Sequence, residues 1–410
     1  MDLETARWLV SPGGRAVLGG VATYRADTEL AEQARLRAGG LTPARAAAVL
    51  AQAGLRARGV DKFGTAAAGL LLTADALEQA TRPELAARHA RRFVEAGIAT
   101  VLDLGCGIGS DALAFAAAGL AVEAAEADPV TAVLAGANLA RWPAARARRA
   151  RAEDVSLPDG AAGRHTGVWV DPARRVPGVA DVRGRARRTV ALADLAPPWS
   201  FVLDVAARVP ATGAKLAPGL PHAAVPEGVE AQWTSWRGEV LECTVWWGPL
   251  ARVVGRTAAV CRPGAPESVV TAADLRGSAP LGGLAEIGPW LWEADRAVVR
   301  AGLSGALPGR ELSTAAGYST GELAQDLPWA RRYAVIEAMP LRVKALRAWL
   351  RRRGIGAVTV KKRAASLDAE ALRRALRGPG EQRATLVVTS VAGRVAALVV
   401  APEGADATGW

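Results

Sequence analysis

A glycine-rich loop that follows an acidic residue is the most informative chemical feature of this 410-residue chain. Asp103 stands just before Gly105, Gly107 and Gly109, and the loop joins a short apolar run to an alanine-rich run with helical spacing. Glycines at alternate positions let a backbone approach a ligand closely, because no Cβ is in the way. The dinucleotide fingerprint needs G-x-G-x-x-G, and neither register of this loop has a glycine at the third position. An acid ahead of the loop suits a cationic ligand better than a pyrophosphate.

This loop and its flanking elements resemble those of class I S-adenosylmethionine-dependent methyltransferases, over roughly residues 70–260. S-adenosylmethionine (SAM) carries an ammonium and a sulfonium, which agrees with an acid at position 103. The resemblance implies SAM as the cofactor, the three glycines as part of its site, and an α/β fold with a Rossmann-like sheet. Such a sheet is mainly parallel and ends in a late antiparallel hairpin. The runs 229–236 and 240–247, which flank Arg237-Gly238-Glu239, predict that hairpin.

The resemblance also assigns acidic residues to the cofactor. Glu126 ends the expected second strand, where a carboxylate can accept both ribose hydroxyls, as the acid after strand two does in dinucleotide folds. Asp128 is the competing choice, although it also stands where a helix cap is expected. Asp103 would orient the cofactor near its ammonium or through water. Asp154 would contact the adenine amino group, with Glu153 as the near alternative.

A segment just ahead of this domain is a further candidate for cofactor contact. RNA methyltransferases of this class often place a SAM-contacting segment there, so Gln79 and Thr81 would hold the methionine end of the cofactor. A helix cap explains the same two residues equally well, and the sequence leaves both interpretations open.

The acid that would act on the substrate follows the expected fourth strand. Class I amino-methylating enzymes have Asp or Asn, two prolines and an aromatic residue at this position, and the acid or amide and the proline carbonyl accept hydrogen bonds from the target amine. This chain keeps Asp171 and Pro172, which are the predicted catalytic residues, and departs afterwards with Ala173 and Arg174. Asp171 can still accept a hydrogen bond or a proton. Arg174 and Arg175 suit a phosphate better than a stacked base.

Two other kinds of chemistry find no support in the sequence. Pyrimidine C5 methylation needs a cysteine nucleophile in an active-site loop, whereas the three cysteines lie in the cofactor loop or on late strands. The three histidines are isolated, so no metal site is expected. The absence of CxxC spacing fits a reducing cytosol. With no signal-peptide pattern and no apolar run near the roughly 18 residues that span a bilayer, a cytoplasmic protein is expected.

The pattern of elements divides the chain into four segments. Residues 1–95 are predicted to form a helical domain, and residues 96–262 the methyltransferase domain. Residues 263–283 are rich in proline and glycine and are predicted to be a linker. Residues 284–410 are predicted to form a small, basic α+β domain whose second half has the order βαβαββ.

The positive charge is concentrated in the last of these segments. Between Arg331 and Arg377 there are fourteen Lys or Arg and three acids, a net of +11 that equals the charge of the whole chain. This concentration is typical of a face that binds a polyanion. Around Pro340-Leu341, Arg353-Gly354-Ile355-Gly356 and Val360-Lys361-Lys362-Arg363 the segment resembles the THUMP-like domain of a group of bacterial methyltransferases. True THUMP domains bind RNA.

Together these features predict an enzyme that N-methylates a base in structured RNA, with the basic domain docking the RNA. The predicted RNA contacts are seven basic residues: Arg174, Arg175, Arg351, Arg352, Lys361, Lys362 and Arg363. Methylation of a small molecule or protein is one alternative. A non-enzymatic RNA-binding protein with a vestigial SAM pocket is the other, and the departure after Pro172 keeps it open.

Overall fold

A computed structural model describes residues 1–21, 26–158, 163–173, 175–180, 186–188, 192–277, 279, 281–314 and 316–401. For residues 26, 175–180 and 186–188 the description is limited to the backbone. The chain forms two compact units, Met1–Leu216 with Val245–Arg252, and Ala217–Thr244 with Val253–Trp410. These two units do not test the four-segment division predicted from the sequence, which stays a prediction.

The first unit begins with a helical region, as the alanine- and leucine-rich sequence suggests. Its helices are α1 (Leu3–Val10), α2 (Pro12–Gly19), α3 (Glu29–Ala38), α4 (Pro43–Phe63), α5 (Ala74–Gln79) and α6 (Pro83–Glu95). Thr42 caps α4 by accepting a hydrogen bond from the backbone N–H of Arg45 at 3.3 Å, and Pro43 occupies the first turn. Leu9, Val49 and other apolar residues of these helices share one buried cluster.

A parallel sheet with covering helices completes the first unit. Its elements are β1 (Thr100–Leu104), α7 (Ser110–Ala117), β2 (Ala121–Glu126), α8 (Pro129–Leu139), β3 (Ala145–Arg149), β4 (Thr166–Val170), β5 (Arg175–Ala180), β6 (Ala186–Arg188), α9 (Trp199–Arg208) and β7 (Thr212–Leu216). Five strands lie in the order β3-β2-β1-β4-β7, and each adjacent pair is parallel. Strands β5 and β6 pair separately as an antiparallel ribbon.

The register of this sheet determines which residues meet at its carboxyl edge. Leu104 of β1 pairs with Ala125 of β2 on one side and with Val170 of β4 on the other. Val170 in turn pairs with Ala214 of β7. The residues that follow these partners therefore lie side by side, and in open parallel sheets ligands bind at this edge.

Aromatic rings pack directly on the sheet at a glycine. A Cβ on Gly213 would lie 2.7 Å from the Trp246 ring and 2.9 Å from the Trp169 ring, so no larger residue fits without displacement. The two indole rings have centroids 5.4 Å apart and are buried with Phe93 and Phe115 in one core cluster. This cluster holds the sheet against α6 and α7.

The second unit contains two groups of strands. Its elements are β8 (Glu230–Trp236), β9 (Glu239–Trp246), β10 (Gly255–Cys261), β11 (Ser268–Val270), β12 (Trp290–Ala294), α10 (Arg296–Arg300), β13 (Arg310–Glu311), β14 (Tyr318–Gly321), β15 (Ala330–Pro340), α11 (Val343–Arg352), β16 (Ile355–Lys362), α12 (Ala369–Leu376), β17 (Gln382–Val391) and β18 (Arg394–Val400). The last two residues of β9 belong to the first unit.

The predicted hairpin is the pair β8 and β9, which lie side by side in the order β9-β8-β10-β11. Arg237 and Gly238 at its tip have φ values of 53° and 83°. Positive φ at both central residues is the requirement of a type I′ turn, whose twist matches that of the flanking strands.

The other strands of the second unit form a seven-stranded sheet in the order β13-β14-β12-β15-β18-β17-β16. The order βαβαββ expected from the sequence is that of β15, α11, β16, α12, β17 and β18. Helices α11 and α12 bury Leu346, Trp349, Leu350, Leu372 and Leu376 in one cluster with apolar residues of this sheet. Both helices therefore direct their remaining, mostly charged faces outward.

Candidate active site

The glycine loop passes between the ends of β2 and β4. Gly105, Gly107 and Gly109 all have positive φ, at 85°, 57° and 88°. The backbone N–H of Gly105 donates to the carbonyl of Ala125 at 2.9 Å. A Cβ on Gly105 would lie 3.1 Å from the backbone oxygen of Asp171, so the loop needs glycine there for both its conformation and its close approach.

Asp103 lies beneath this loop and is 1 % exposed. Neither of its carboxyl oxygens has a hydrogen-bond partner among the described residues. Burial, reinforced by the nearby carboxylates of Asp111 and Asp171, raises the pKa of Asp103 well above its usual value. A buried carboxyl without a partner is costly, and an ammonium reached directly or through a water is a group that would satisfy it.

Glu126 lies at the end of β2, where its carboxylate faces the loop. Oε2 accepts a hydrogen bond from the backbone N–H of Gly107 at 3.0 Å, and Oε1 accepts one from that of Asp128 at 2.8 Å. Burial raises the pKa of Glu126, although these backbone bonds oppose the shift. Asp128 acts as the cap of α8, because its Oδ1 accepts from the backbone N–H of Thr131 at 2.8 Å. The role of Glu126 as the ribose ligand stays a prediction.

The predicted adenine contact lies after β3. The backbone N–H of Ala150 donates to the carbonyl of Glu126 at 3.1 Å, which ties this segment to the end of β2. Asp154 ends the short 3₁₀ turn Ala152–Asp154 and is exposed. The alternative, Glu153, lies 3.3 Å from Arg151 in a surface ion pair. The role of Asp154 stays a prediction.

Asp171 follows β4 and lies beside a lysine that the sequence analysis did not select. The Nζ of Lys215, on β7, is 2.6 Å from Oδ2 of Asp171, and the two side chains are 12 % and 33 % exposed. The pairing follows from the register, because Val170 and Ala214 are partners and these two residues come next. The signal in the sequence was a lysine within an apolar strand, in a chain that has five lysines in all.

Lys215 also belongs to a buried polar network. Its Nζ donates to Oγ1 of Thr81 at 2.6 Å and lies 3.9 Å from Oδ2 of Asp111. Thr81 donates to the same Asp111 oxygen at 2.6 Å, and the other oxygen of Asp111 is 2.8 Å from Nδ1 of His89. Burial alone would raise the pKa of Asp111, but the charge and hydrogen bond of His89 lower it to about 2, with help from Lys215 and Thr81.

This network changes two of the sequence interpretations. Thr81 is 6 % exposed and engaged with Lys215 and Asp111, so it connects the N-terminal segment to the active-site edge instead of capping a helix. His89, treated as isolated in the sequence, is buried against Asp111. Gln79 ends α5 and is half-buried, and its contact with the cofactor stays a prediction.

The residues after Asp171, where the sequence departs from the methyltransferase motif, form a backbone bridge to a later segment. Pro172 is buried, and Ala173 forms an isolated antiparallel bridge with Ala196, with N···O distances of 2.8 Å and 3.1 Å. Arg174 lies outside the described residues. Arg175 begins β5, and its side chain is likewise outside the description.

The five predicted RNA contacts in the second unit have different environments. Arg351 and Arg352 are exposed at the end of α11, and Lys362 is exposed on β16. Lys361 and Arg363 are half-buried and pair with Glu293, at 2.6 Å and 3.4 Å. The first three are accessible to a polyanion, although Lys362 also donates to the backbone carbonyl of Leu367, whereas the last two already neutralise the half-buried carboxylate of Glu293.

Two of the three cysteines lie in environments that disfavour nucleophilic chemistry. Burial raises the pKa of the Cys106 and Cys243 thiols well above their ordinary values, which disfavours the nucleophilic thiolate. Among the described residues no group of three or more His, Cys, Asp or Glu could hold a metal ion. Nor does any described helix have the length and apolarity needed to cross a membrane.

Comparison with known proteins identifies the family. A family model described as THUMP domain-like matches residues 330–402, which confirms the expected C-terminal likeness, and a domain of unknown function (DUF8688) matches residues 2–59. The solved structure of a "putative methyltransferase from Porphyromonas gingivalis W83" has the same fold, with a TM-score of 0.71 at 19% identity over 94% of this chain and 100% of that one.

Two curated relatives come from Mycobacterium tuberculosis, strains CDC 1551 / Oshkosh and ATCC 25618 / H37Rv, and both are described as uncharacterized S-adenosylmethionine-dependent methyltransferases. Each is 31% identical to this chain over 351 residues, which is 82% of this chain and 90% of the relative. At this identity and coverage the chain belongs to the S-adenosylmethionine-dependent methyltransferases, and SAM is its cofactor.

Proposed function

We propose that this methyltransferase modifies a nitrogen of a base in structured RNA, and that Asp171 orients the target amine. The position of the Asp171 carboxylate carries the proposal for the chemistry. Asp171 follows the carboxyl end of β4, where its backbone oxygen lies beside Gly105 of the loop. Its carboxylate pairs with Lys215 and the side chain is one-third exposed, so a substrate can reach it.

When bound, SAM would supply the methyl group of its sulfonium: a nitrogen–carbon bond would form as the carbon–sulfur bond breaks, and the neutral thioether S-adenosylhomocysteine would leave. The residues of the chain bind and align. Glu126 would accept the ribose hydroxyls, Asp103 would hold the ammonium, and the loop glycines would let the backbone approach the cofactor. Orientation of this kind contributes about 7–11 kcal/mol to lowering a barrier.

Asp171 would accept a hydrogen bond from the target amine. That bond directs the nitrogen lone pair toward the methyl group, and the carboxylate can take up the proton released after transfer. The ion pair with Lys215 at 2.6 Å restricts the carboxylate to one orientation. Lys215 is therefore proposed as a positioning residue, since it acts through Asp171.

The RNA is proposed to dock on the outer surface of α11 and α12, called the basic helical face below. Its exposed basic residues are Arg342, Lys344, Arg347, Arg351, Arg352, Arg373, Arg374 and Arg377. The apolar sides of both helices are buried against the sheet, so these charges point away from the core. Dense positive charge on one face is typical of a surface that tracks a phosphate backbone.

The test is transfer of radiolabelled methyl from SAM to total RNA from cells that lack this enzyme. Asp171→Ala is measured beside the wild type, and Asp204→Ala, an exposed acid on α9, is the matched control. We expect label in RNA with the wild type and the control and none above background with Asp171→Ala. SAM binding is measured by calorimetry for all three proteins.

Two results would contradict the proposal. Intact SAM binding without any label in RNA would indicate a small-molecule or protein substrate. RNA binding with no SAM binding would indicate a protein that has lost its chemistry.

A further inference from the structure

A polar cavity of about 540 Å³ lies entirely within the second unit, and the proposed chemistry does not use it. Three arginines from three different elements line it: Arg237 from the β8–β9 turn, Arg262 after β10, and Arg296 at the start of α10. A hydrogen bond from the backbone N–H of Arg237 to the carbonyl of Cys261, at 3.1 Å, ties the turn to the end of β10. This bond holds two of the three arginine-bearing segments together, and the cavity is of the size that binds small ligands.

Two of the three acidic residues that line the cavity are already engaged. The side chain of Glu293 is 11 % exposed, and its carboxylate accepts hydrogen bonds from Lys361 at 2.6 Å, Tyr333 at 2.9 Å and Tyr318 at 3.2 Å. Although burial alone would raise the pKa of Glu293, Lys361, Arg363 and Tyr333 lower it, so it remains a carboxylate. Asp295 caps α10 by accepting from the backbone N–H of Ala297 at 2.9 Å. The third acid, Glu239, is exposed.

The three arginines, by contrast, have no carboxylate partner within 4.0 Å among the residues that the structure describes, and all three are exposed. The guanidinium of Arg237 lies over the Trp236 ring, 6.0 Å from its centroid, which leaves the N–H donors at its edge available to a ligand. With Arg331, Lys361 and Arg363 the lining has six cationic groups and three carboxylates. An excess of guanidinium groups that converge on a concave site matches a phosphate, which accepts paired N–H donors.

We infer that this cavity binds a phosphate group of the RNA substrate, with Arg237, Arg262 and Arg296 as its ligands. The inference rests on the proposed function in taking RNA as the molecule that carries the phosphate. It adds a site separate from the basic helical face, because none of these three arginines belongs to α11 or α12. The phosphate is either a bridging phosphodiester or the monoester at an RNA terminus.

The experiment measures binding of a fluorescein-labelled RNA oligonucleotide to the full-length protein by anisotropy, without SAM, over a series of salt concentrations. The RNA is used with a 5′-hydroxyl and with a 5′-phosphate. The test variant is R237Q/R262Q/R296Q. The matched control is R276Q/R300Q/R394Q, which also removes three exposed arginines of the second unit and lies outside both sites. Inorganic phosphate serves as a competitor.

We expect the test variant to bind at least about tenfold more weakly than the control, since removing a single charge-assisted hydrogen bond can cost that factor. The slope of log affinity against log salt should fall by about 0.7 for each phosphate that the variant no longer binds. If only the affinity for the 5′-phosphorylated RNA decreases, the cavity binds the terminal monoester. If the affinity for both RNAs decreases equally, the cavity binds a phosphodiester. Inorganic phosphate should displace RNA from the wild-type protein and should not displace it from the test variant.

Equal affinities of the test and control variants, with equal salt slopes, would overturn the inference. Circular dichroism and SAM calorimetry check that both variants are folded. The proposed function fails separately, because it depends on label transfer from SAM and on Asp171, neither of which enters this binding assay.

Discussion

Lys215 offers the sharpest test of how the active site is organised. Replacing it with Met keeps the aliphatic volume and removes the ammonium that lies 2.6 Å from both Asp171 and Thr81. Without this ion pair the Asp171 carboxylate can turn away from its position at the carboxyl end of β4. Misplacement of a reacting group by about 1 Å costs roughly 100-fold in rate, and loss of a general base costs about 10²–10⁴-fold. We therefore expect Lys215→Met to lower kcat by about 100-fold and Asp171→Ala by at least as much.

A double-mutant cycle separates positioning from an independent role. If Lys215 acts through Asp171, then Lys215→Met should have no further effect on kcat in the Asp171→Ala background. The coupling then equals the full effect of the lysine, about 2.7 kcal/mol for a 100-fold change. Lys215→Arg, which retains the cation, should recover part of the rate. Additive losses in the double variant would refute this reasoning.

The same substitution also has a structural cost that must be measured separately. Lys215 is nearly buried, and its removal takes one donor from Thr81 and one cation from the vicinity of Asp111. The loss of charge-assisted bonds should cost about 1.5–3 kcal/mol of unfolding free energy, with the lower end favoured because Asp171 is partly exposed. Urea unfolding and SAM calorimetry on the same preparations distinguish this cost from the change in kcat.

Three further predictions concern buried groups near the same edge. Asp111→Asn should lower the free energy of unfolding by about 2 kcal/mol at pH 7, measured in urea, because the pKa of Asp111 is about 2 in the folded protein and 3.8 ordinarily. This stabilisation is present above about pH 4 and is lost as the pH falls toward 2. Asp103→Asn should weaken SAM binding about tenfold by calorimetry without lowering the melting temperature, since no hydrogen bond within the described protein is removed. Gly213→Ala should cost about 1–3 kcal/mol in urea unfolding by pressing a methyl group against Trp246, whereas Gly19→Ala, which meets open space in a helix, should be neutral or slightly stabilising.

Local sequence was sufficient to place several candidate site residues at the ends of strands. Asp103, the loop glycines, Glu126 and Asp171 each follow an apolar run, and the carboxyl ends of parallel strands meet at one edge. The hairpin could also be predicted from the sequence, because Arg237-Gly238 between two strand-like runs favours a tight turn. In these cases the residues that predict the strand end or turn are the same short segment that forms it.

Partners that come from distant segments could not be predicted in the same way. Lys215 meets Asp171 because β7 is the neighbour of β4, and His89 meets Asp111 because α6 packs on α7. Glu293, on β12, neutralises Lys361, 68 positions later in the chain. Each of these pairings depends on strand order or helix packing, which a single sequence does not specify residue by residue.

The location of positive charge illustrates this limit and bears on the proposed function. Counted along the chain, the whole excess of +11 falls between Arg331 and Arg377. Within that segment the structure pairs Lys361 and Arg363 with Glu293 and Arg332 with Asp326, so part of the apparent charge is neutralised.

Folding also brings together three arginines that are far apart in the sequence. Arg237, Arg262 and Arg296 lie outside the basic segment, yet they line one cavity. Under the proposed function, the charge that would contact RNA is divided between the basic helical face and this cavity. Variants of the helical face, such as R351Q/R352Q, should lower the salt slope further when combined with the cavity variant, because the two sets would bind different phosphates. A combined slope no smaller than that of either set alone would mean that only one of the two surfaces meets the RNA.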